Sequence, residues 1–195
     1  MHGSGRTDAG VHAMGQVANF HLPDDWKPDA ASEKNETVSE WIRNYFNQYL
    51  PDDIAITELT PVSERFHSRL SAVKKIYTYR IETGEKRDVF SRRICYGLGQ
   101  ALDVKKMQTA ADLLCGTHDY KSFCGNKKMK KSTVRTIFRI TVEQDAGSGL
   151  VKLEFEGNGF LQNMVRILTG TLIEVGLGKR DAGSMPEILA ALDRQ

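Results

Sequence analysis

Apolar positions along this chain fall into two rhythms, and each predicts a kind of element. A helical rhythm follows Thr37, where Val38, Trp41, Ile42, Tyr45, Phe46, Tyr49 and Leu50 recur at i, i+3, i+4, i+7, i+8, i+11 and i+12. Thr37-Val38-Ser39-Glu40 ahead of it has the form of a capping box, and Pro51 closes it. Asp103 is placed to cap a second helix built on Val104, Met107, Ala111 and Leu114 and ended by Gly116. A third carries Leu161, Met164, Val165, Leu168, Leu172 and Val175, and a short fourth opens at a second capping box, Ser184-Met185-Pro186-Glu187. Strand alternation marks Gln16 to Leu22, with Ala18, Phe20 and Leu22 on one face, and Ile54 to Leu59. It returns where Tyr77, Tyr79 and Ile81 alternate with Thr78, Arg80 and Glu82, and in a shorter run from Arg93 to Leu98. Val134 to Val142 and Leu150 to Glu156 alternate as two strands, joined by the glycine-rich Asp145-Ala146-Gly147-Ser148-Gly149.

In order, the first third of the chain reads strand, helix, strand, with a polar linker after Leu22, and the remainder reads β-α-β-β-α. That series predicts an α+β protein whose second part is a split βαβ, or ferredoxin-like, unit that calls for one more strand. The first third looks like the back half of a similar unit. The expected division is residues 1–70 and 71–195, two ferredoxin-like halves sharing a mainly antiparallel sheet with helices on one face.

The 195 residues are 40% apolar, enough for a sizeable core. No stretch approaches the roughly 20 apolar residues of a bilayer span, and the glycines and charges of the N-terminus do not form the apolar region of a secretory signal. A cytoplasmic protein is the default expectation. Three cysteines without CxxC spacing and five histidines without an HExxH pattern support neither disulfides nor zinc, so reduced thiols and no metal or cofactor are expected.

Net charge is only +2, but the charges are sorted. Residues 24–64 hold ten acids and three bases; residues 65–93 hold nine bases and three acids; residues 121–139 hold seven bases and no acid. Tyr77, Tyr79 and Phe123 lie among the bases. Most charge runs are solvated faces, yet cations beside rings that can stack on bases form the usual surface for an RNA ligand.

Candidate chemistry concentrates in Gly3-Ser4-Gly5-Arg6-Thr7-Asp8-Ala9-Gly10-Val11-His12. Small residues around Asp8 let the backbone turn tightly and a flat ligand approach the carboxylate. An aspartate is ionised at neutral pH, with an unperturbed pKa of about 3.9, and is a nucleophile without the activating base that a serine requires. Taken alone, these residues read first as an Asx-turn opening a strand and only second as a reactive site. A phosphate cradle is disfavoured, since no helix rhythm follows the glycines and the P-loop lysine is absent.

Three separated stretches resemble the TruA family of tRNA pseudouridine synthases, which isomerise uridines at the base of the anticodon stem-loop. Gly5-Arg6-Thr7-Asp8-Ala9-Gly10-Val11-His12-Ala13 with Gly15-Gln16-Val17 is similar to the family's catalytic-aspartate motif. Phe66-His67-Ser68-Arg69 with Ser71-Ala72 and Lys75-Ile76-Tyr77-Thr78-Tyr79 is similar to the strand that supplies a tyrosine beneath the target base. Gly157-Asn158-Gly159-Phe160-Leu161 with Asn163-Met164-Val165-Arg166 is similar to the helix start that supplies an arginine to the aspartate. Lesser echoes at His118–Phe123 and Ser132–Ile137 extend the resemblance over essentially the whole chain.

The resemblance implies two ferredoxin-like halves with the active cleft between them, a homodimer that grips tRNA, and no cofactor. It assigns Asp8 as nucleophile, attacking either C6 of the uracil or the sugar, Arg166 as its ion-pair partner, and Tyr77 as the ring on the face of the flipped base. Arg6 is assigned to fill the gap left by that base, with a phosphate contact as its alternative; His12 and His67 are assigned structural places. Without the resemblance, Tyr77 reads as a core tyrosine and Arg166 as a surface helix residue. It also implies a strand and helix ahead of the aspartate loop and a final strand after the last helix, so the expectation is a chain short at both ends. The rival expectation is a catalytically inactive RNA-binding fragment of such an enzyme, left with unpaired strand edges.

Overall fold

A computed structural model describes residues 1–26, 37–86, 88–126 and 128–193. The chain divides into two compact units, one of residues 1–6 and 13–71, the other of residues 7–12 and 72–195. Residues 7–12, which carry Asp8, group with the second unit.

Among its described residues the first unit holds one helix and a minimal two-stranded sheet, and each is fastened by polar side chains. β1 (His2–Gly3) pairs antiparallel with β2 (Ala18–Asn19). The strand expected over Gln16 to Leu22 is thus two residues long, because β1 offers no more partner than that. The buried Asn19 side chain accepts from the Ser68 backbone N–H at 3.0 Å, and the Ser68 hydroxyl donates to the His2 carbonyl at 2.9 Å. α1 (Val38–Asn47) begins at the expected capping box: Thr37 Oγ1 accepts from the Glu40 N–H, and Glu40 accepts from the Thr37 N–H at 2.9 Å. It stops one turn short of Pro51, at Asn47. The reason lies in the Asn47 side chain, which donates to the Ile56 carbonyl and accepts from the Ile56 N–H. That clamp satisfies Ile56 without a neighbouring strand, so Ile54 to Leu59 is not the strand that its alternation predicts. Of the α1 face only Ile42 is buried, while Trp41, Tyr45 and Tyr49 lie ring against ring at 5.1 Å spacings. The polar linker expected after Leu22 lies mostly outside the described residues.

The second unit is a five-stranded mixed sheet with helices. β3 (Lys75–Glu82), β4 (Tyr96–Gly97), α2 (Val104–Leu113), β5 (Gly116–Asp119), β6 (Val134–Gln144), β7 (Leu150–Gly157), α3 (Met164–Gly176) and α4 (Met185–Ala191) follow one another in sequence. The sheet order is β4-β3-β7-β6-β5, antiparallel except for the two-residue parallel pair of β4 with β3. Register places Tyr77, Tyr79 and Ile81 opposite Phe155, Leu153 and Val151. These share the face on which Phe155, Leu153, Val151 and Ile81 are fully buried against Met107, Ala110, Leu168 and Leu172 of α2 and α3. The opposite face is charged, with Lys74 and Arg139 both paired to Glu156.

Two details depart from the alternation read in the sequence. Ile137 and Ile140 are three apart yet both buried, and a bulge between Ile137 and Arg139 resets the phase so that both face the core. β5, which the sequence reading did not identify, pairs with the start of β6. At α2 the predicted cap is present, Asp103 Oδ1 accepting from the Lys106 N–H at 3.0 Å. At α4 the predicted capping box is not formed. Ser184 closes a preceding single 3-10 turn, its hydroxyl donating to the Asp181 carbonyl at 2.8 Å, so it is not free to cap the next helix.

Candidate active site

Asp8 opens a tight turn in which the Val11 N–H donates to the Asp8 carbonyl at 3.1 Å. Gly10 takes the left-handed conformation at φ +76°, which a residue with a Cβ adopts only with strain. The turn is therefore closed by backbone rather than by the Asx side-chain bond that was its structural alternative. Among the described residues the Asp8 carboxylate accepts no hydrogen bond and joins no ion pair, and it is exposed. It is a charged group held out by small residues with its lone pairs open.

Tyr77 lies near the start of β3, on the face that the sheet turns toward its helices, but at the sheet end where that cover stops. Tyr77 is 38% exposed, so one part packs and another is accessible. The packed part meets Phe160 edge to face, ring centroids 5.0 Å apart and planes at 73°. Burial raises the Tyr77 phenol above its usual pKa, and the negative charge of Asp8 raises it further. The two groups are thus within electrostatic reach of one another, and Tyr77 is a neutral hydroxyl at physiological pH.

Arg166 occupies the third position of α3, exposed, and lines an open cleft of about 430 Å³ with Tyr79, Tyr96, Leu98, Gln100 and Thr169. The ion pair with Asp8 that the resemblance implies is not formed among the described residues. Arg166 borders Tyr79 while Asp8 acts on Tyr77, and same-face neighbours on a strand stand about 7 Å apart. Arg6 is exposed and belongs to the first unit. His12 is exposed; His67 is held structurally, its Nδ1 accepting from the Arg69 and Leu70 N–H groups. Of the basic stretches, Lys121, Lys128, Lys130 and Lys131 are exposed and form no ion pair among the described residues, whereas Arg87 and Lys127 lie outside them.

Two features were given no role of their own in the sequence reading. One is Phe160, whose signal was an aromatic residue in a Gly-Asn-Gly loop directly ahead of a helix. The other is the Thr169 hydroxyl, buried in the cleft wall without a hydrogen-bond partner among the described residues.

Comparison with known proteins points to one family. A family model described as tRNA pseudouridine synthase matches residues 110–195. tRNA pseudouridine synthase A 2 of Bacillus cereus (strain ZK / E33L) is 44% identical over 192 residues, 98% of this chain and 73% of the relative. The chain belongs to the TruA family of tRNA pseudouridine synthases. tRNA pseudouridine synthase A 1 of the same strain is 44% identical over 194 residues, covering 98% of this chain and 72% of that protein. The enzyme named tRNA pseudouridine synthase A from Bacillus sp. (strain KSM-64) is 43% identical over 192 residues, 98% and 73% of the two chains. The stretch matched by the family model contains Phe160 and Arg166, while Asp8 and Tyr77 fall in the longer region shared with the relatives.

Proposed function

We propose that this chain converts uridine to pseudouridine in the anticodon stem-loop of tRNA, with Asp8 as the nucleophile. The reaction breaks the N1–C1′ bond, turns the uracil, and joins C5 to the same C1′; the proton lost from C5 is balanced by one gained at N1. Atoms and electrons are conserved, so a carboxylate suffices as the attacking group, at C6 or at the sugar. The observation that carries the reading is the open Asp8 carboxylate within electrostatic reach of a half-exposed, neutral Tyr77.

In this reading Tyr77 stacks on the flipped uracil, a contact worth about 1–3 kcal/mol. Arg166 pairs with Asp8 when substrate is bound, since catalytic contacts are often long in a free enzyme and tighten in the complex. Arg6 fills the space that the extruded base leaves, which lowers the cost of flipping. Lys121, Lys128, Lys130 and Lys131 hold phosphates. The antiparallel run of β3, β7, β6 and β5 with helices on one face supports reading the second unit as one ferredoxin-like half. A homodimer belongs to the same proposal.

The test is tritium release from tRNA carrying 5-tritiated uridine, for this chain beside Asp8→Ala. Release by the parent that vanishes in the variant, with tRNA affinity within a few-fold, is the expected result, because phosphate contacts dominate binding. Release that persists in Asp8→Ala overturns the assignment. Bound tRNA with no release by the parent favours the RNA-binding reading without catalysis.

A further inference from the structure

We infer that Phe160 is a positioning residue for the isomerisation, setting the Tyr77 ring rather than touching the base; this rests on the reading of Asp8 and Tyr77 as the reacting centre. The contact is specific in geometry. Edge-to-face pairs at this separation are favourable beyond the area they bury, because the electron-poor edge of one ring meets the electron-rich face of the other. An aliphatic residue of similar bulk fills the space without that preference for one ring angle.

Phe160 is itself held from three sides. Its ring tip lies over the backbone at the end of β7, where a Cβ on Gly157 would stand 3.2 Å from Phe160 Cζ and 2.8 Å from the Thr136 carbonyl oxygen. Ahead of it, Asn158 is tied to β6 twice, its N–H donating to the Thr136 carbonyl and its side-chain oxygen accepting from the Thr136 N–H, both at 3.0 Å. Behind it, Leu161 is buried in the core and the Gln162 carbonyl accepts from the Gly125 N–H at 2.7 Å. The loop is therefore tied on both sides of Phe160 where its ring meets Tyr77, and a reacting group placed by such a supporting contact loses rate, not affinity, when the contact goes. The bare Gly157 is what leaves room for the ring to lie there.

The experiment compares Phe160→Leu and Phe160→Met with the parent and with Asp8→Asn. Expected for both Phe160 variants are parental melting and tRNA affinity, KM little changed, and kcat lower by about 10–100-fold, the scale of a misplacement near 1 Å. A second readout is the phenolate absorbance of Tyr77, isolated by subtracting the Tyr77→Phe titration: a ring no longer held at one angle meets solvent and Asp8 differently, so its phenol titrates at a pH displaced from the parent's. Parental kcat in both Phe160 variants, with Asp8→Asn inactive, overturns this inference alone. A loss of melting temperature and tRNA affinity together with kcat also overturns it, by showing a merely structural side chain. Full turnover in Asp8→Asn overturns the underlying reading of the centre instead.

Discussion

The two units of this protein are held together by different physics. In the second, an unbroken set of buried apolar side chains runs from Ile81 through Leu168 to Leu189, closed between one face of the sheet and the helices. In the first, Ile42 is the only buried apolar side chain among the described residues, and the work falls to polar ties: Asn19 to Ser68, Ser68 to His2, Asn47 to Ile56, Thr37 to Glu40. Burial is non-directional and scales with area, whereas each hydrogen bond is worth only about 1 kcal/mol net but is costly to leave half made. The second unit should therefore be sensitive to volume and the first to the loss of single polar atoms. The proposed chemistry follows the same division, since Asp8, Tyr77, Phe160 and Arg166 all belong to the apolar-cored unit.

Both tryptophans, Trp26 and Trp41, lie in the first unit, so their fluorescence reports on it separately from the far-ultraviolet signal of the sheet and helices. The sharpest test of the contrast is Phe155→Ala. Its ring is fully buried between β7 and the helices, and truncation is expected to cost about 3–5 kcal/mol, read as a fall in the far-ultraviolet denaturation midpoint. Phe46→Ala, at 36% exposure, should shift the tryptophan transition by less than half as much; an equal shift would break the comparison.

Asn19→Ala is the counterpart for the polar unit. It leaves the buried Ser68 N–H without its acceptor and is expected to destabilise the tryptophan transition by about 1–3 kcal/mol, although little volume is removed. A neutral result would show that the tie is ornamental.

Alkaline pH discriminates through the phenols of the second unit. Tyr120 is fully buried and donates to the Leu114 carbonyl at 2.7 Å; burial drives its ionisation well above the usual tyrosine range, and Tyr77 is raised in the same direction. Below the unfolded value near 10 both states keep the proton and stability is unaffected. Above it the unfolded chain releases the proton and the folded chain retains it, so stability falls with rising pH, at up to about 1.4 kcal/mol per pH unit from Tyr120. Chemical denaturation of Tyr120→Phe between pH 9 and pH 11 should show a shallower decline than the parent; identical slopes would count against it.

The smallest expected effect is Thr37→Ala, which removes one half of the capping box of α1 and should cost about 1 kcal/mol. Loss of helical signal confined to that magnitude, with the tryptophan transition still cooperative, would place α1 among elements that stand on their own local code.

Elements whose determinants lie within one or two turns of chain were legible in the sequence: α1 with its capping box, α2 with the Asp103 cap, and the β6–β7 hairpin across residues 145–149. The Asp8 turn was legible too, because Gly10 supplies locally the conformation it needs. Tertiary structure decided what depends on distant partners. Ile54 to Leu59 has strand periodicity but finds Asn47 in place of a strand, Ser184 spends its hydroxyl on Asp181, and the bulge near Phe138 is visible only once Ile137 and Ile140 have a common core to face. Arg166 beside Tyr79, and Phe160 against Tyr77, were likewise set by where α3 and its loop dock on the sheet. Periodicity and caps are written in neighbouring residues, whereas the choice among competing hydrogen-bond and packing partners is made only when the chain has closed on itself.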